Sequence, residues 1–242
     1  MPESLQEISG HCFLNGNADT VYAIQDEEGK VFRLPWRIKV QTHAKFAKGG
    51  DYEDVSILNG KIYILHSAGS IYFFPVKDAV YAEVDAVQQW KQVLPKGEYE
   101  SMFGDEASGQ LYILCKNCPG DEDRDLLTGY TISASDSTPI AKPFSIDVNS
   151  IRHFTGKIKK GFRPSALAKN PVTKEWFIVS AVNQLLVVAD SSWKIIDAYP
   201  LHGKVFNQPE GIAFDKTGNM YISNEGDDIS SGNILKFERK TK

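Results

Sequence analysis

Four glutamates, Glu7, Glu53, Glu100 and Glu210, each open a short apolar run, and roughly 45 residues separate most of them. A fifth, Glu225, closes the run that follows Glu210 in "NQPEGIAFDKTGNMYISNEGD", residues 207–227. Carboxylates spaced this far apart do nothing together along the chain. Brought to one axis at ~4–8 Å they repel, unless a counter-charge is present or a pKa rises. A hard divalent cation relieves that repulsion, and calcium accepts about six to eight oxygens in a flexible geometry. The structural alternative is a clasp, in which each glutamate accepts backbone N–H bonds from a neighbouring unit. Scattered surface charge is the third reading.

The elements that would gather these residues are short and strand-like. "TVYAIQ", "KIYILH", "QLYILC", "EWFIVS" and "NMYISN" are rich in Val, Ile, Tyr and Phe and are bounded by turn residues. Five segments align, spanning 5–34, 51–74, 98–117 (with "LLTGYTI" after it), 162–188 and 207–237. Each reads as strand, turn, stronger strand, loop and third strand, with a more polar stretch after each of the first four. The markers are Glu7, Glu53, Glu100, Ser165 and Glu210. A period of about 40–50 residues with some four strands marks a β-propeller. The chain is therefore read as all-β, a five-bladed propeller with mostly four-stranded antiparallel blades, in one domain over 1–242. The long third interval falls in Asp136–Lys160, a stretch too short for a sixth blade. The last repeat ends on its third strand, so we expect a three-stranded closing blade or a closing strand beyond the end. Ala79–Leu94 is the best helix candidate, part of which could instead be an outer strand.

In a propeller the first strand of each blade lines the channel, and the second returns antiparallel to the same face. Glu7 is thereby matched with Asp26, Glu27 and Glu28, Glu53 with His66, and Glu100 with the "CKNC" loop at 115–118. Ser165 is matched with Asn183, and Glu210 with Asn224 and Glu225. Glu7, Glu53, Glu100, Glu210 and Glu225 are the expected metal ligands. His66 is more readily a hydrogen-bonded filler than a base. "DEDRD" at 121–125 resembles the start of a calcium loop but lacks its Gly and closing Glu. "FDKTGN" at 214–219 reads as a tight turn. No nucleophile motif or phosphate loop is present.

Composition removes other classes. With 27 Lys and Arg against 31 Asp and Glu, nothing in the charge suggests nucleic acid as a partner. No apolar run is long enough for a membrane helix, and "MPESLQEISG" has no signal-peptide pattern. Three cysteines, Cys12, Cys115 and Cys118, are too few for a disulfide framework or a zinc site, though a local disulfide is open in an oxidising compartment.

"LQEISG", "GDYED", "GEYES" and the 207–227 stretch resemble the strand openings of the bacterial SdiA-regulated β-propeller proteins, and "VYAIQDEEGKVFRL" resembles that family's first-blade hairpin. The resemblance covers nearly all of 5–237. It implies a five-bladed propeller with a calcium site held by the acidic openings Glu7, Glu53, Glu100 and Glu210. It also implies placement at the cell envelope: periplasmic, secreted or lipid-anchored. "LHSAG" and "CKNC" depart from loops that are often more acidic. We expect a monomeric binding or scaffold module that takes a small molecule or protein on the channel-mouth face. The competing expectation is a calcium-dependent lactonase or esterase, with His66 or Glu225 as base.

Overall fold

Runs of Val, Ile, Tyr and Phe between turn residues become strands throughout. The computed structural model describes residues 3–36, 41–121, 125–136, 138–156, 161–227 and 230–240. Its sheets form a five-bladed β-propeller. Blade 1 holds β1 (Ile8–Phe13), β2 (Thr20–Gln25), β3 (Lys30–Pro35) and β4 (Thr42–Lys45). Blade 2 holds β5 (Tyr52–Leu58), β6 (Lys61–His66), β7 (Ser70–Pro75) and β8 (Gln88–Trp90). Blade 3 holds β9 (Glu98–Asp105), β10 (Gln110–Asn117), β11 (Leu126–Ser133) and β12 (Lys142–Asp147). Blade 4 holds β13 (Ala166–Lys169), β14 (Trp176–Ser180), β15 (Leu185–Ala189) and β16 (Ile195–Pro200). Blade 5 has three described strands, β17 (Pro209–Phe214), β18 (Met220–Asn224) and β19 (Asn233–Phe237).

Burial follows position in the blade. The middle strands β2, β6 and β15 are apolar almost without interruption, because a neighbouring blade covers each face. The outer strand β4 buries only one of its four residues. Five buried clusters result, one between each pair of neighbouring blades. The cluster between blades 3 and 4 includes Trp176, which stacks on Trp193 with centroids 4.3 Å apart. Blade 5 meets blade 1 through Phe13 and Tyr221, centroids 4.8 Å apart. There Gly226 donates its N–H to the Gln6 carbonyl (2.7 Å), while the Gln6 amide donates to the carbonyls of Asp227 and Ser230 (2.8 Å each). The inner strands touch in sequence, β1 to β5, β9, β13, β17 and back to β1.

Two segments resolve the open expectations. Ala79–Leu94 is not one helix. A 3-10 turn at Val76–Val80 leads into β8, whose Trp90 packs on Phe73 with centroids 4.8 Å apart. Asp136–Lys160 supplies β12 of blade 3, then a 3-10 turn at Asn149–Ile151 and a short helix at Arg152–Thr155. Residues 137 and 157–160 of that stretch lie outside the described set. The 214–219 stretch is the expected tight turn: Asp215 Oδ1 accepts the N–H groups of Thr217 (2.9 Å) and Asn219 (3.0 Å).

A clasp between blades does exist, but one residue beyond the expected glutamate. Asp54 on β5 accepts the N–H of Val55 at 2.8 Å and that of Met102 on β9 at 2.7 Å. Its carboxyl is 5% exposed, and burial, aided by Glu53 and opposed by those two amides, holds its pKa well above the usual carboxylate range. Asp54→Ala strands two buried N–H groups and should destabilise the protein by about 1–3 kcal/mol. Asp54→Asn, which keeps one acceptor, should lose about half as much. Urea unfolding measures both; an Ala variant indistinguishable from the parent would refute the clasp.

Candidate functional site

The register of the inner hairpins places the site residues. Tyr52 pairs with His66 and Asp54 with Leu65, so Glu53 is left over. By the same shift Glu100 is left over on β9, Glu210 on β17 and Ser9 on β1. A bulge of this kind re-aims the extra residue. Blade 4 puts Ser165 at the equivalent place, one residue ahead of the Ala166–Val179 pair. The equivalent of the other markers in blade 1 is thus the buried Ser9. Glu7 lies two residues earlier, exposed on the rim. Glu225 directly follows β18 and donates its N–H to the Gln208 carbonyl at 2.8 Å.

Both remedies for crowded carboxylates are in use. The first is a counter-charge: Lys116, inside "CKNC", pairs with Glu100 and reaches Glu98 at 3.4 Å. The second is protonation. Burial first, then Asp51, pushes Glu53 up to about 8, against the pull of Lys116. Burial, then Glu225, pushes Glu210 up to about 7, with Lys116, Gln208 and Ser165 opposing. Glu225 is also held at about 7, by burial and then by Asp26 and Glu7, and the Gln208 amide hydrogen-bonds it. Desolvation, then Asp26 and Glu27, raises Glu7. Asp26 is raised chiefly by burial.

The expected matches are partly realised. Glu7 is coupled to Asp26 and Glu27, and Glu210 to Glu225. Glu53 couples to Asp51 and Glu210 rather than to His66, whose Nδ1 accepts the Ala68 N–H at 3.2 Å. Ser165 donates to the Pro209 carbonyl of the next blade at 2.8 Å. The Asn183 amide donates to the Gly161 carbonyl at 2.9 Å. Cys115 and Cys118 form a disulfide, so the local bridge left open above is present. Of "DEDRD", residues 122–124 lie outside the described set. Asp121 accepts from Thr128 (2.8 Å to its N–H), and Asp125 pairs with Arg152 at 2.5 Å. Lys116 is the residue the carboxylate pattern missed. It sits across the β9–β10 pair from Glu98 and Glu100, and reading the hairpin ends together would have found it.

The donors present are hard oxygens. Asn224 is 1% exposed, and its Oδ1, like Oδ1 of Asp26, has no hydrogen-bond partner. Among the described residues no group of three or more His, Cys, Asp and Glu side chains is placed to hold a metal ion. The oxygens therefore suit a hard cation in kind, but they do not converge on one as they stand.

Fold and site together define a β-propeller with a buried acidic channel mouth. No family model matches the chain, and no curated protein matches it. Solved structures do. A luciferin-regenerating enzyme aligns with TM-score 0.54 and 10% identity over 96% of this chain and 91% of that one. A structural-genomics protein of unknown function from Bacteroides thetaiotaomicron aligns with TM-score 0.54 and 13% identity over 90% of this chain, which spans 52% of that one. A chain of a mitotic checkpoint complex aligns with TM-score 0.55 and 11% identity, covering 96% and 75%. At these identities the likeness is one of fold. Among the described residues no helix is long and apolar enough to cross a membrane.

The raised carboxyls have a sign that can be tested. Unfolded glutamates ionise near pH 4.3, whereas Glu53 keeps its proton up to about 8 and Glu210 and Glu225 up to about 7. Between those limits the folded state binds more protons, so stability falls as pH rises through the window. In chelator, Tm should drop from about pH 5 to about pH 8, and Glu210→Gln should drop less. Parallel Tm–pH curves for parent and variant would show that Glu210 does not titrate in this way.

Proposed function

We propose that this chain is a calcium-binding five-bladed propeller of the SdiA-regulated type, a bacterial binding module of the cell envelope whose ion sits in the acidic mouth. The observation that carries the reading is the buried cluster of Glu53, Glu210 and Glu225, with pKa values of about 7 to 8, beside the unpartnered Asn224 Oδ1. These four would hold the ion, and small rotations of the glutamates would be needed to bring them together. Glu100 stays with Lys116, and Glu7 contributes field from the rim. A bound Ca²⁺ would supply the positive charge that the mouth otherwise replaces with protons. The Cys115–Cys118 bridge supports exported placement, since such bonds persist in oxidising compartments.

A second reading, hydrolysis of lactones or esters at the same mouth, is favoured by one feature. Glu225 and Glu210 are poised near neutral pH, where a carboxyl can take and return a proton.

Calcium at about 100 times its Kd should stabilise the protein by ~2.7 kcal/mol, by mass action on the native state. The shift should shrink sharply in Glu210→Gln and Glu225→Gln and persist in Glu238→Gln, a change at an exposed charge whose side chain is 81% accessible. Binding near neutral pH should release protons, which an indicator dye reads directly. A Tm indifferent to calcium and chelator alike would end the calcium reading. Turnover of a lactone and aryl-ester panel that is abolished by Glu225→Gln would favour the hydrolase over the module.

A further inference from the structure

The other end of the channel is built differently. Beyond the Asp54 layer the inner strands diverge around a cavity of about 500 Å³, within the range of small-ligand sites. Its walls are apolar, formed by Ile57, Met102, Phe103, Leu167, Ile212 and Phe214. A channel kept only for water would need polar partners along its walls, and apolar cavities of this kind stay dry or take apolar guests. The inner strands are sheet edges, so main-chain groups not used by a second strand face the axis between these side chains.

The rim carries unbalanced positive charge. Lys169 is neutralised by Asp105 at 3.0 Å and lies over the Trp176 ring. Lys174 and Lys216 are exposed and line the same cavity. Lys174 Nζ donates to the Pro171 carbonyl at 2.7 Å, and neither lysine has a carboxylate partner among the described residues. The remaining acid, Glu106, is turned to the Asn59 N–H at 2.9 Å.

We propose that this cavity, at the end of the channel away from the acidic mouth, binds a small organic anion with an apolar body. The body lies between Phe103 and Phe214, and the acid group sits at Lys174 and Lys216. An apolar wall selects against small inorganic anions, which have no apolar surface to bury there. Two cations on one rim select against neutral hydrocarbons. The site shares no lysine or glutamate with the proposed calcium mouth, so each can fail without the other.

The probe is 1-anilinonaphthalene-8-sulfonate, titrated by fluorescence into folded protein whose melting transition is checked in parallel. Saturable one-to-one binding is expected. The exposed double variant Lys174→Glu/Lys216→Glu should weaken it roughly tenfold or more, and the uncharged N-phenyl-1-naphthylamine should bind more weakly to the parent. Cys12, the free cysteine on the cavity wall, gives a positional readout: the bound probe should slow its alkylation by N-ethylmaleimide. Glu210→Gln and chelator should leave probe binding unchanged. Absence of saturable binding, indifference to the double charge reversal, unprotected Cys12, or loss of binding in Glu210→Gln would each overturn the proposal.

Discussion

Five inner strands share one axis, and every side chain at its mouth has neighbours from other blades. That crowding decides which residues the axis tolerates. In the layer below the mouth the positions are Gly10, Asp54, Ser101, Ala166 and Gly211, nearly all small. A Cβ on Gly10 would lie 2.5 Å from Asp54 Oδ1 and 2.9 Å from the Asp54 Cα, which is backbone that cannot step aside. Asp54 fits there because Gly10 leaves room and because the N–H groups of Val55 and Met102 occupy its oxygens. The ring is otherwise closed by apolar contact between blades. At the join between the two ends of the chain, Gln6 adds polar contacts to the blade 5 loop.

One layer up, the bulges turn longer side chains to the axis and electrostatics takes over from sterics. A single ammonium cannot neutralise Glu53, Glu98, Glu100 and Glu210 together, and its direct contacts go to Glu98 and Glu100. The residual repulsion appears as retained protons on Glu53, Glu210 and Glu225. Placement of that ammonium matters accordingly. Lys116 lies inside the Cys115–Cys118 bridge, which constrains the end of β10 where the lysine leaves the sheet. A cysteine pair that looked incidental to function brackets the charge on which its neighbours depend.

The blade count was legible because each middle strand must be apolar on both faces, which prints an unbroken run such as "KIYILH" once per repeat. The marker glutamates were legible where spacing is regular, in blades 2, 3 and 5. In blade 1 a two-residue offset made Glu7 look like the marker, whereas strand pairing gives that place to Ser9. Register depends on a bulge, and a bulge leaves no trace in a count of residues. The clasp was expected at the glutamates and is made by Asp54, the next residue on the strand, for the same reason. Lys116 was missed because a search for like charges passes over the opposite one. The cavity was invisible in the sequence: its walls come from blades 1 to 5, and Ile57, Leu167 and Ile212 read singly as ordinary core residues.

The two ends of the channel are opposed in character because a strand has two ends. All five inner strands run the same way, from mouth to cavity, so a bias in what opens them becomes a property of one face of the disc. Glutamates, serines and the Gln208–Glu225 pair open or flank the hairpins on one side. The turns that end them, "NPVTKE" in blade 4 and "FDKTGN" in blade 5, bring Lys174 and Lys216 to the other. An antiparallel blade thus converts a local sequence habit, acid before the strand and lysine after it, into an axial field. A small anion entering from the lysine face is drawn in by that field and halted by it, since the buried Asp54 layer and the acidic mouth lie beyond. The axis therefore reads as two sites back to back, each selecting a charge that the other refuses.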